Sequence, residues 1–221
     1  MKTILLDIDG TLINSNDAQA SAWVDALAED GFSVVLAAVR FKIGMGADHL
    51  LPHISGIKAD SERGKKISKR RSEIFKKNYL PGLKAFPGAR ELLEKMISKH
   101  FQLVVATSAS KEDLTALLTQ ANLADLLMKK TTSDDVANSK PDADIVLAAL
   151  KKSGTQPAQA LMIGDTPYDI VAAARAGVKS LAFTCGGWKK EELKDAFKIY
   201  ESPLDLLEKF DQSPLSGQYE R

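Results

Sequence analysis

The chain has 221 residues, 44% hydrophobic and 27% charged, enough apolar material for a sizeable core and too much for a disordered chain. Thirty basic residues stand against 29 acidic ones, a formal net charge of +1, so the totals give no reason to expect nucleic acid or an anionic membrane as partner. A single cysteine, Cys185, excludes an internal disulfide, and no apolar run approaches the ~20 residues that cross a bilayer.

The first element, "ILLDIDGTLI" (residues 4–13), reads as a buried strand carrying two acids. An unpaired buried carboxylate costs several kcal/mol, so a cation or a reaction must justify Asp7 and Asp9. Alternation along a strand sends both to the same side, and Gly10 permits a sharp turn at the strand's carboxyl end, where open α/β sheets bind ligands. A helix cap near Thr11 accounts for Asp9 but not for both acids.

From Asn14 to Tyr79 the pattern predicts helices: "NDAQASAWVDALAED", a stretch ending in "IGMGADHLLPHI", and a basic run at 65–77. That run is the solvated face of an amphipathic helix with Ile67, Ile74 and Phe75 inward. "FSVVLAAVRFKI" is rich in β-branched residues, yet its apolar positions 35, 36, 39 and 43 follow helical spacing and it is assigned as helix.

Beyond "LPGLKAFPGA" helices alternate with short apolar strands. The helices are "GARELLEKMISKH", "KEDLTALLTQANL", "DADIVLAALKKSG" and "PYDIVAAARAG"; the strands are "FQLVVAT", a weak one at "LLMKKT", "ALMIG" and "SLAFT". The alternation predicts an α/β fold, a doubly wound parallel sheet of Rossmann-like type with a helical cap inserted after the first strand. The expected division is a core of 1–13 and 82–221 and a cap of 14–81, with Pro81-Gly82 and Pro87-Gly88 as hinge punctuation. Residues 211–221 read as a loose tail. The chain enters its first strand without a basic leader, so the expected setting is cytoplasmic. A monomer is a workable expectation.

Four stretches fall at predicted strand ends: "DIDGT" (7–11), "ATSAS" (106–110), "SKPD" (139–142) and "IGDTPYD" (163–169). Asp7, Asp9 and Asp165 offer hard oxygen ligands to Mg2+, which binds through few carboxylates, retained waters and a substrate phosphate. Ser108, with backbone N–H groups after it, suits a phosphate oxygen, and Lys140 supplies positive charge. Asp7 is the candidate nucleophile, forming an aspartyl-phosphate. Asp9 is placed to protonate the leaving alcohol and then deprotonate water.

With its motifs in this order around a helical insert, the chain over residues 1 to about 187 resembles the haloacid dehalogenase superfamily, in its phosphatase and phosphomutase branch. The resemblance implies that Asp7 is phosphorylated, that Asp9 is acid and base and lends its backbone oxygen to magnesium, and that Asp165 is a ligand. It also implies phosphate binding by Ser108, the backbone of Ala109 and Lys140. Thr107 is an alternative to Ser108, Thr11 a supporting hydroxyl, and Asp169 a holder of metal-bound water or an orienter of Lys140. "IGMGADH" matches the cap's specificity loop in place, giving Gly44, Met45, Gly46 and Ala47. Arg40 and Lys42 just before it are either anion contacts or part of a solvated face.

Dehalogenases of this superfamily lack an acid at the position of Asp9, and phosphonate-cleaving relatives carry alanine there. Sugar phosphomutases with such a cap, and many of the phosphatases as well, carry a histidine where this chain has Gln19, whose presence weighs against the mutase without removing it as the alternative. The expected function is therefore magnesium-dependent hydrolysis of a small phosphorylated metabolite, with a sugar phosphomutase as alternative. A signalling receiver domain uses similar groups in a different order. His49, His53 and His100 lack metal-ligand spacing. Trp188 is assigned to loop packing, and Cys185 to apolar packing.

Overall fold

The computed structural model describes residues 3–216. Six parallel strands form one sheet in the order β3-β2-β1-β4-β5-β6. They are β1 (Thr3–Leu6), β2 (Gln102–Ala106), β3 (Lys129–Thr131), β4 (Ala160–Gly164), β5 (Lys179–Phe183) and β6 (Lys198–Tyr200). This is the doubly wound order, whose direction reverses beside β1. Leu6 pairs with Val105 on one side and Ile163 on the other, so the ends of β1, β2 and β4 stand level.

The central strands are buried on both faces. Ile4 and Leu6 of β1 join Leu103, Val105, Leu161 and Ile163 in one apolar layer. Leu5, Val104, Ala106 and Met162 join the opposite one. Four helices after the insert and one near the carboxyl end cover these layers: α5 (Ala89–Ser98), α6 (Lys111–Gln120), α7 (Asp144–Ser153), α8 (Pro167–Arg175) and α9 (Pro203–Glu208). Leu92, Leu117 and Leu206 lie on the first face, and Ile145, Ala149 and Ala172 on the second. Lone apolar runs without alternation are what such two-sided burial produces.

Between β1 and β2 the described chain makes only helical elements and loops: α1 (Asn16–Glu29), α2 (Leu36–Arg40), α3 (Ala47–Ser55) and α4 (Glu62–Ile74), which continues through a π-helical turn at Phe75–Tyr79. Trp23, Leu27, Leu50, Ile67, Ile74 and Phe75 are among the buried residues it shares with the larger core layer. The insert enters and leaves at one place. Asn14 N–H donates to Lys84 O at 3.1 Å and Phe86 N–H to Leu12 O at 2.8 Å, around an antiparallel bridge of Ile13 with Ala85.

Three sequence expectations need correction. The helix at 32–43 shrinks to Leu36–Arg40, because Val35 is extended and caps it; only Val39 of that helix is buried, leaving Val35 71% exposed. β6 and α9 were not anticipated. The tail is not loose as far as it is described: Ser213, Pro214 and Leu215 are buried and turned by two 3-10 segments, while 217–221 lie outside the described residues.

Candidate active site

β1 ends at Leu6, and Asp7 adds one more ladder bond, its N–H donating to Ile163 O at 2.9 Å. Gly10, at φ +75°, then turns the chain so that Gly10 N–H donates to Ile13 O at 2.8 Å. Asp9 therefore lies beyond the last strand residue, in an isolated bridge to Ile13. Both acids nevertheless line one cavity of about 500 Å³ between sheet and cap.

Asp7 belongs to a buried cluster. Lys140 Nζ, with no exposed surface, donates to Asp7 Oδ1 at 2.6 Å and to Asp169 Oδ1 at 2.7 Å. Thr11 Oγ1 donates to Asp165 Oδ1 at 2.9 Å and more weakly to Asp7 Oδ2 at 3.3 Å. Asn16 Nδ2 donates to Asp165 Oδ2 at 3.0 Å and to Gly186 O at 3.1 Å. Asp169 is fixed by the α8 cap, accepting from Thr166 Oγ1 at 2.7 Å and Thr166 N–H at 3.1 Å. Burial penalises charge on Lys140, but the carboxylates of Asp169 and Asp7 outweigh it and hold the ammonium above its usual range.

One carboxylate oxygen each from Asp7, Asp165 and Asp169 lies within 4.8 Å of the others. Fully ionised, these three carboxylates would outnumber the one ammonium by two charges in a desolvated place, an excess that protons reduce in the metal-free fold and a divalent cation would neutralise. Burial, then repulsion by Asp169, pushes Asp165 up to about 7. Burial also raises Asp7 well above the carboxylate range, against the pull of Lys140. A Cβ built on Gly186 or Gly10 would overlap the Asp165 carboxylate, so two glycines make room for it. The donor set is all oxygen and fits a hard divalent ion.

Asp9 is separate from this cluster. Its Oδ1 accepts both Ser15 Oγ at 2.5 Å and Gln19 Nε2 at 2.9 Å from the start of α1, which leaves Oδ2 to carry a proton. Burial raises its pKa, partly offset by those two bonds. The carboxylate of Asp9 is thus not one of the three that converge.

Ser108 Oγ is buried without a hydrogen-bond partner and lines the cavity. Thr107 and Ala109 line the cavity beside it, and Ala109 N–H donates to Thr107 Oγ1 at 3.2 Å. From the specificity loop, Gly44, Met45 and Ala47 line the cavity. Gly46 instead packs so closely on Ser139 that a Cβ would overlap it, while Asp48 Oδ2 accepts Ser139 N–H at 2.8 Å. The cap therefore holds the loop that carries Lys140.

Arg40 is neither an anion contact nor part of a solvated face: it pairs with Asp17 and donates to Gly186 O at 2.6 Å. Lys42 lies outside the cavity lining. Trp188 packs edge-on against Phe41 and Tyr168, with ring centroids 5.1 and 6.0 Å away. Cys185 is half-buried and unpaired, its thiol pushed up to about 12 by burial and by Asp165, the state of an inert thiol.

Residues not anticipated are Ser15, Asn16, Arg71, Asp113 and Gly186. Arg71 was legible, standing four after Ile67 and three before Ile74 on the inward stripe. Its Nη1 donates to Asp113 Oδ2 at 2.8 Å and to Gln19 Oε1 at 3.1 Å.

Carboxylates gathered around a buried lysine at one end of a parallel sheet, beneath a helical insert, form a capped site on an α/β fold. The chain belongs to the haloacid dehalogenase-like hydrolases, whose family model matches residues 4–183. It is similar to the phosphoglycolate phosphatase of Aquifex aeolicus, 32% identical with 96% of this chain and 97% of that one covered. It is also similar to the validoxylamine A 7'-phosphate phosphatase of Streptomyces hygroscopicus, 30% identical over 83% of this chain and 85% of that one. Among solved structures, a hydrolase from Pseudomonas syringae superposes with a TM-score of 0.89 at 31% identity, covering 96% and 99% of the two chains. Family, relatives and site chemistry make this chain a phosphoric monoester hydrolase.

Proposed function

We propose that the chain hydrolyses small phosphomonoesters in a magnesium-dependent reaction through a phosphorylated Asp7. The observation that supports this best is Lys140 held between Asp7 and Asp169 at 2.6 and 2.7 Å, beside a cavity that Asp7, Asp9 and Ser108 all line. Two of the three N–H groups on Lys140 point at carboxylates, and the third remains for a phosphoryl oxygen. Ser108 Oγ supplies a second donor.

Asp7 attacks phosphorus, and Asp9, protonated on Oδ2, gives its proton to the departing alcohol. Asp9 then takes a proton from the water that releases phosphate. Asp7, Asp165, Asp169 and the backbone oxygen of Asp9 are the residues that would hold Mg2+, which when bound shields the negative charge between acids and phosphate. Gln19, at the position where mutases of this kind carry histidine, bonds Asp9 through an amide that has no acidic proton to exchange. That supports hydrolysis over transfer back to a sugar. The cap, taken as 14–81, opens to admit substrate and closes to exclude stray water.

The test is release of inorganic phosphate from a panel of phosphorylated metabolites, phosphoglycolate among them, with and without Mg2+. Turnover is expected with the metal and is expected to vanish in chelator. Full activity in chelator, or isomerised product without free phosphate, would overturn the reading.

A further inference from the structure

Two buried polar atoms on one face of α4 lack partners: Arg71 Nε and Ser68 Oγ, three residues apart. Both residues line the cavity that contains Asp7, Asp9 and Ser108. The guanidinium is held on its other side. Nη1 serves Asp113 and Gln19, and the guanidinium carbon lies 5.1 Å from the centre of the Trp23 ring. Nε and Nη2 make no hydrogen bond to the described residues, and they form the edge on which a guanidinium presents two parallel N–H donors.

A pair of parallel donors matches a two-oxygen acceptor in one plane, the geometry of a carboxylate. A hydroxyl would satisfy one donor and leave the other dry. The remaining cations on the cavity wall are committed or remote: Lys76 pairs with Glu112, and Lys69 is exposed. Arg71 is therefore the wall's one fixed, planar donor for a second anionic group.

Distance sets the length of the ligand. Gln19 bridges Asp9 Oδ1 at 2.9 Å and Arg71 Nη1 at 3.1 Å, so one amide separates the proton donor from the guanidinium. The group Arg71 reads must lie only a few bonds from the ester oxygen that Asp9 protonates. We propose that Arg71 and Ser68 form a subsite selecting phosphomonoesters with a carboxylate one or two carbons from the ester oxygen. This rests on the phosphatase reading for turnover, but the recognition itself does not depend on it.

The experiment compares two esters of equal length, 2-phosphoglycolate and 2-hydroxyethyl phosphate, in kcat/KM with the wild-type protein and Mg2+. In parallel, equilibrium binding of both is measured on Asp7→Asn, which needs no turnover. The carboxylate ester is expected to be preferred by about 100-fold or more in both readouts, on the scale of a desolvated bidentate pair. Arg71→Lys keeps the charge facing Asp113 but loses the fork, and should remove most of that preference. Ser68→Ala leaves the Arg71–Asp113 pair intact and should reduce the preference about fivefold, the loss of one hydrogen bond. Equal binding of the two esters, or a preference unchanged in both Arg71→Lys and Ser68→Ala, overturns the inference. Selective binding without phosphate release from either ester leaves the subsite standing and removes the phosphatase reading.

Discussion

Asp7 and Asp9 are two residues apart, yet their surroundings assign them opposite work. Asp7 faces an ammonium and two further carboxylates; Asp9 faces a hydroxyl and an amide that leave one oxygen free. Asp7→Asn should abolish turnover, because no phosphoenzyme forms. Asp9→Asn should lose about 10²-fold or more on alkyl esters and least on aryl phosphates, whose leaving groups need little protonation. Acid quench and mass spectrometry should find phosphate on Asp7 in the Asp9→Asn protein and none in Asp7→Asn; an undiminished adduct in Asp7→Asn would place the nucleophile elsewhere. Gly186 makes a separate prediction. Its backbone tolerates alanine, but a Cβ would push on the Asp165 carboxylate, so Gly186→Ala should fold normally and bind Mg2+ at least tenfold more weakly by titration. The acids, Ser108 and Lys140 could be read in the sequence because each stands in a short punctuated stretch, the acids and Ser108 close after a strand and Lys140 farther along the loop that follows β3. Asn16 and Gly186 could not: the first is an ordinary polar residue at a helix start, and the second reaches Asp165 only when β5 has been laid beside β4.

At the scale of elements, apolar runs of four to six residues announced β1, β2, β4 and β5, since strands buried on both faces have no polar alternation to hide in. β6 escaped because it is three residues long and begins with the exposed Lys198. α9 has a start signal in "SPLD", where Ser202 Oγ accepts Asp205 N–H at 3.3 Å and Pro203 opens the first turn, but six residues give too little periodicity to register. Ties between insert and sheet layer run across long sequence separations, among them Arg71 and Ser72 with Asp113, Asp48 with Ser139, Arg40 with Gly186, and Phe41 with Trp188. No local pattern encodes them. Opening of the cap must break these ties while the backbone pairs at 12–14 and 84–86 act as pivot. Hydrogen exchange with Mg2+ and orthovanadate should therefore gain protection at Gly44–Ala47 and in the first turn of α6, with fast exchange in both without them. Identical protection in the two conditions would refute cap motion.

Across the whole molecule the buried acids couple metal, protons and stability. Asp165, raised to about 7 by burial and then by Asp169, keeps a proton in the metal-free fold that it loses near pH 4 in the unfolded chain. The sign follows: the stabilisation is complete below the unfolded value and disappears as pH rises through about 7, up to about 4 kcal/mol for a shift of that size. Metal-free protein should melt at lower temperature at pH 8 than at pH 5, and Mg2+ should raise the Tm most at pH 8. Apparent metal affinity should fall by about tenfold per pH unit below about 7, since the ion displaces that proton. A Tm increment from Mg2+ that is the same at pH 5 and pH 8 would remove the coupling. The narrow neck at Ile13 and Ala85 has a consequence of another kind. Because the excursion of some seventy residues leaves and rejoins the sheet at a single paired position, its length can change without disturbing the strand pairing below, and loop closure adds only a slowly growing cost for a longer one. A foreign insert spliced at that point would leave the strand-end acids and Lys140 in place, and it would give the same sheet a different diet only if it brought its own partners for Asp9 and Ser139, now held by Ser15, Gln19 and Asp48.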